Sequence, residues 1–96
     1  MRAAQEEFSA FINGPDSIKL DRYGNYILEG TTPINGEVTY RLGDQNKDYA
    51  TIQMSTEDAN VCIIHANKKN KIGEIILIAT YDGVDYSKTI KIIPLW

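Results

Sequence analysis

The sequence predicts an all-β protein: a small sandwich of about seven antiparallel strands with Greek-key connections. Three observations point there. Short runs that alternate apolar and polar residues recur at regular intervals along the 96 residues. Turn formers such as Asn13-Gly14-Pro15-Asp16 and Asp82-Gly83 separate these runs. The interior holds no stretch of helical periodicity, and its loops are too short for crossovers, so the strands are expected to pair antiparallel.

The elements follow in order. MRAAQEEFSAF opens the chain, with Ala4, Phe8 and Phe11 at helical spacing. One or two helical turns of that length do not stand alone. Residues 1–11 are therefore read as a lead segment or the end of a preceding domain, and residues 12–96 as the sandwich. Residues 17–20 form the first strand, after the Asn13-Gly14-Pro15-Asp16 turn. A break at Tyr23-Gly24-Asn25 precedes a strand at residues 26–29. Residues 32–36 make a longer loop. Residues 38–42 and 50–55 alternate as half-buried strands do, and residues 43–48 read as a loop by composition. A strand at residues 61–66 ends at Asn67-Lys68-Lys69-Asn70. Gly73 to Ile93 closes the chain as a hairpin about Asp82-Gly83, residues that tolerate the positive φ of a tight turn.

Composition narrows the function. Net charge is −3 and pI about 5.0, which argues against a grip on nucleic-acid phosphates. The single cysteine, Cys62, forms no intrachain disulfide, so the fold rests on packing. The longest apolar run, Ile75 to Ala79, has strand length and falls far short of the ~20 residues of a membrane-spanning helix.

Alternation assigns faces. Val38, Tyr40 and Leu42 point inward, with Ile52, Met54, Cys62 and Ile64. In the hairpin, Ile75, Leu77, Ala79 and Tyr81 share the inner face with Ile90 and Ile92. That leaves Ile76, Ile78 and Ile93 outward. Together with Arg41 and Lys91, and rimmed by Thr39, Thr80 and Thr89, they form a candidate interaction patch, an apolar centre inside a polar rim. The plainer reading is a covered or tolerated apolar face.

Candidate chemistry is thin. Asp44, Asn46 and Asp48 are spaced like the start of a calcium loop. Tyr49 stands where such a loop needs glycine, Ser55 where it needs glutamate, and Lys47 adds positive charge. Asp82 and Asp85 are close carboxylates, but the turn itself accounts for Asp82-Gly83. His65 is the only histidine and has no partner at zinc spacing. Its odd offset from Cys62 puts the two on opposite faces, which excludes a nucleophile–base pair in a regular strand. No catalytic, cofactor or metal site is expected. Among the aromatics, Tyr23, Tyr26, Tyr40 and Tyr81 read as core or core-edge residues. Tyr49, Tyr86 and Trp96 read as surface positions that suit stacking on sugars.

The stretches GPDSIKLDRYGNYILEG, EVTYRL, ATIQMSTEDANVCIIHA and GEIILIATYDGVDYSKTIKI, in this order, resemble the bacterial immunoglobulin-like domain families across roughly residues 12–95. The closing motif carries most of the likeness: Gly73, Ile75, Leu77, Ala79, Tyr81, Asp82 and Gly83. Tyr40 takes the place of the family's usual tryptophan. The sequence is most similar to the immunoglobulin-like domains appended to phage tail, neck and head-tail connection proteins. The resemblance implies an immunoglobulin-like Greek-key sandwich and a non-enzymatic module of the virion. Display, adhesion or structural contacts would be its work. Its partners would be other virion domains, with weak contacts to cell-surface polysaccharide. The ending Ile93-Pro94-Leu95-Trp96 fits a C-terminal appendage. Two alternatives stay open: a spacer or adhesion repeat of a bacterial cell-surface protein, and a carbohydrate-binding accessory domain.

Overall fold

The computed structural model describes residues 8–43, 49–58, 60–67 and 72–94. Within them the chain forms eight strands and no helix: β1 (Ala10–Asn13), β2 (Ser17–Lys19), β3 (Tyr23–Gly30), β4 (Thr39–Leu42), β5 (Ala50–Met54), β6 (Val61–Ala66), β7 (Gly73–Tyr81) and β8 (Val84–Ile93). They make two four-stranded sheets, ordered β1-β3-β6-β5 and β2-β8-β7-β4. The sheets face each other across one apolar core, so the architecture is a β-sandwich.

Alternation builds that core. β6 buries Cys62, Ile64 and Ala66, β7 buries Ile75, Leu77 and Ala79, and β8 buries Ile90 and Ile92. Tyr26 and Leu28 of β3, with Val38 just before β4, fill the space between them. Each fully buried large apolar side chain is worth about 1.5–3 kcal/mol relative to exposure. Asp82 at φ 53° and Gly83 at φ 78° turn β7 into β8, the two-residue hairpin expected from Asp-Gly.

Four expectations change. First, β1 exists: Phe11, counted above in a helical spacing, lies in a strand whose Ala10 to Asn13 pair antiparallel with Gly30 to Ile27 of β3. The helical spacing was too short to compete with a free sheet edge. Second, not every pair is antiparallel. Ser17, Ile18 and Lys19 run parallel to Lys91, Ile92 and Ile93. The need for a long crossover binds only consecutive strands, whereas β2 and β8 come from opposite ends of the chain. The chain leaves one sheet after Asn13 and joins the other at Ser17. Tyr26 clamps this crossing: its hydroxyl donates to the Pro15 carbonyl at 2.7 Å, and its ring packs so close to Gly14 that a Cβ there would sit 2.3 Å away.

Third, Tyr23-Gly24-Asn25 is no break but the start of β3, paired with His65, Ile64 and Ile63. Gly24 faces inward, where a Cβ would meet the Ile18 side chain at 3.0 Å. The glycine serves close packing rather than a turn. Fourth, Met54 has the inward register, opposite Cys62, yet stays 43% exposed because β5 ends there.

One oxygen ties three segments together. The β3–β6 ladder ends at Ile27 and Val61. The next amide, Leu28 N–H, donates to the Tyr40 hydroxyl at 3.0 Å. That hydroxyl donates in turn to the Asn60 carbonyl at 2.7 Å. Asn60, at φ 62°, also accepts from Val38 N–H at 3.1 Å and donates to the Gly36 carbonyl at 2.9 Å. Among the described residues, no buried side-chain nitrogen or oxygen lacks a hydrogen-bond partner.

Candidate interaction face

The outer face of the β2-β8-β7-β4 sheet carries the residues singled out from the sequence. Its cross-strand rows follow from the register. Arg41 faces Ile78, which faces Ser87. Ile76 faces Thr89 on one side, and on the other its carbonyl accepts from Gly43 N–H at 3.0 Å. Gly43, its neighbour on that side, brings no side chain over it, and Ile76 is 44% exposed. Ile78, between the longer Arg41 and Ser87, is half-buried.

Ile93 does not join them. It pairs with Lys19 and lies four positions along β8 from Thr89, the residue that faces Ile76. At about 3.3 Å per residue that separation exceeds a side-chain contact. Lys91 sits between the two ends, exposed and opposite Glu74. The face therefore holds an Ile76–Ile78 centre near Arg41 and a separate apolar position at Ile93, close in sequence order to the pairing of Gly73 with Ile92.

The polar rim is organised. The Arg41 guanidinium donates to the Thr80 hydroxyl at 3.0 Å and to the Asp85 carboxylate at 3.1 Å. The Thr80 hydroxyl donates to the same carboxylate at 2.6 Å. These hydrogen bonds, first that from Thr80 and then that from Arg41, hold the Asp85 carboxyl below its ordinary range. Three strands, β4, β7 and β8, are thus stitched across the face beside Ile78. The network is exposed, so its worth lies in orienting Arg41 more than in stability.

The other proposed chemistry comes apart in space. Cys62 is fully buried, and burial pushes its thiol up to about 12. His65 lies on the opposite face of β6, with Nε2 2.9 Å from Asp21 Oδ1 and its ring stacked on Tyr23 at a centroid distance of 4.5 Å. Residues 44–48 and Trp96 lie outside the described residues. Among the described residues, His, Cys, Asp and Glu form no group of three that could hold a metal.

Sequence reasoning misplaced several aromatics. Tyr23, expected at the core, is 65% exposed on the outer face of the β1-β3-β6-β5 sheet, in a row with His65 and Thr51. Alternation from Tyr26 shows this once residues 23–25 are seen as strand. Tyr86, expected at the surface, is half-buried on the inner face, and Tyr49 packs against the core. Phe8, left in the lead segment, packs on Tyr81 and Tyr86 with centroids 5.7 and 6.5 Å away. Only a three-dimensional partner reveals that contact.

The chain matches no protein-family model, no curated protein and no solved structure.

Proposed function

We propose that this chain is a non-enzymatic, immunoglobulin-like module of a phage virion structural protein, acting in display, adhesion or structural contacts. The observation that carries the reading is the closing hairpin, Gly73 to Ile93. It joins the family-like motif to an Asp82-Gly83 turn of the required backbone form. Strand order supports the fold part. In an immunoglobulin sandwich the strands A, B, E and D share one sheet and C, F and G the other. Here β1-β3-β6-β5 and β4-β7-β8 run in those orders, with the leading strand split so that β2 edges β8. Tyr40 takes the tryptophan's place on the third strand of that scheme. It anchors the core through its hydroxyl where the tryptophan would act by bulk.

The working surface in this reading is the outer face around Ile76 and Ile78, with Arg41 fixed beside it by Asp85 and Thr80. A flat sheet with an apolar centre and polar rim suits a weak protein contact with other virion domains. A catalytic site would instead need concavity and convergent polar groups.

An antibody raised against the domain tests the location. Labelling of purified phage particles in electron micrographs is the expected result. Labelling confined to the bacterial surface would favour the spacer or adhesion-repeat reading, as would a parent gene flanked by wall-anchor rather than capsid and tail genes. One observation keeps the carbohydrate reading in play: Tyr23 offers an exposed ring braced by His65. A sugar array probed with the parent protein and its Tyr23→Ala variant decides it.

A further inference from the structure

β8 spans 10 residues, the longest strand among the described residues, and within them only part of its outer edge is paired. β2 covers it from Lys91 to Ile93. The Lys91 N–H donates to the Asp16 carbonyl at 2.9 Å, and the Ile93 carbonyl accepts from Leu20 N–H at 3.0 Å. Lys91 and Ile93 thus point their main-chain groups at this edge. The unbroken β7–β8 register makes Asp85, Ser87 and Thr89 do the same. Among the described residues, no hydrogen bond reaches the main-chain N–H or C=O of those three. β1 packs near β8 but gives its ladder to β3.

Such an edge is a template for another strand. The strand that fits by symmetry is the same edge of a second copy, antiparallel about a two-fold axis through Ser87. In that register Ser87 meets Ser87 of the copy and Asp85 meets Thr89 of the copy. Every edge-pointing N–H and C=O from Asp85 to Thr89 then finds a partner, and outward Asp85 lies beside a threonine hydroxyl.

Lys88 opposes this. It sits on the inner face of β8, opposite Leu77, between half-buried Tyr86 and buried Ile90. Its side chain is only 19% exposed, and Nζ reaches out to Asp16 Oδ1 at 2.6 Å. In the two-fold register each Lys88 faces Tyr86 of the copy, and the two lysines become diagonal neighbours about 7–8 Å apart. Each Lys88–Asp16 pair would then lose water under one continuous sheet, a desolvation cost that opposes pairing. Inward-pointing charge on an edge strand is one of the ways sheets avoid edge pairing.

We propose that Lys88, anchored by Asp16, keeps the open edge of β8 from pairing with a second copy of this chain, and that removing its charge turns the edge into a symmetric dimer interface. The test is self-association by analytical ultracentrifugation across a wide concentration range. The variants are Lys88→Val, Lys88→Met and Lys88→Val combined with Ser87→Pro. Circular dichroism and thermal melting confirm that each is folded. Both single variants should associate about tenfold or more tightly than the unaltered protein. Ser87→Pro should reverse this, because proline removes an edge-pointing N–H yet is tolerated on an edge strand. Val and Met differ in shape, so agreement between them assigns the effect to the lost charge. Two results overturn the proposal: folded single variants that associate no more than the unaltered protein, or a double variant that associates as strongly as Lys88→Val.

Discussion

Tyr40 shows how a single polar atom organises the sandwich. Its hydroxyl accepts from the Leu28 amide and donates to the Asn60 carbonyl. Tyr40→Phe leaves both partners short of a hydrogen bond with almost no change in shape. The expected cost is about 1–3 kcal/mol, read as a lower urea midpoint at unchanged slope. A change within about 0.5 kcal/mol would mean that water replaces the hydroxyl. Cys62 makes a second case. The thiol is buried and raised to about 12, whereas an unfolded thiol ionises near the ordinary value of 9.0. Native protein at pH 8 should therefore resist a thiol reagent that labels the urea-unfolded chain at once. The sign of the pH dependence follows. Between about pH 9 and 12 the unfolded thiol gives up its proton while the folded one keeps it, so stability is full below that window and falls as pH rises through it. Tyr26 and Tyr40, both raised by burial, act in the same direction. In Cys62→Ala the fall in melting temperature over that window should be shallower. An equal slope would remove Cys62 from the account.

At the scale of elements, the β7–β8 hairpin is the local signal that supplies a third of the buried core residues. Its turn needs φ above zero at both central residues, 53° at Asp82 and 78° at Gly83. A valine at Gly83 would be forced into that strained region, so Gly83→Val should cost about 1–3 kcal/mol by chemical denaturation. Asparagine tolerates the left-handed region as aspartate does. Asp82→Asn should therefore leave stability nearly unchanged, and a clear loss there would show that the carboxylate does more than turn the chain. β2 makes the opposite case. SIKL was legible as a strand, but its partner was not. Two main-chain bonds beyond the ladder, Leu20 to Ile93 and Lys91 to Asp16, hold it on β8, and both reach to the far end of the chain.

At the scale of the whole molecule, the two sheets offer different outer faces. One presents Ile76 and Ile78 beside the Arg41–Thr80–Asp85 network, the other Tyr23 on His65 and an exposed Phe11. If the first face makes the contacts proposed above, Ile76→Thr with Ile78→Thr should weaken association with the proposed partner domains in sedimentation and leave the fold intact, since threonine keeps strand propensity. Association unchanged both alone and with those domains would leave the pair as merely tolerated apolar surface. Ile93 is not part of this test, because register places it four residues along β8 from the residue facing Ile76.

The all-β class, the inward sets Cys62–Ile64 and Ile75–Leu77–Ala79, the Asp-Gly turn, and the separation of Cys62 from His65 were all legible in residue order. All are local: side-chain parity along a strand and the φ preference of two adjacent residues need no distant partner. The tertiary structure alone decided that β1 and β2 divide between two sheets, that β2 runs parallel to β8, and that Gly24 packs rather than turns. It also decided that Phe8 meets Tyr81 and Tyr86, that Ile76 is bared by Gly43 while Ile93 stands apart, and that Lys88 lies under an open edge. Each depends on which distant segment arrives alongside. A side chain's face is written in its own strand, whereas pairing partner, register and edge are set by long-range packing free energy, which residue order carries only implicitly.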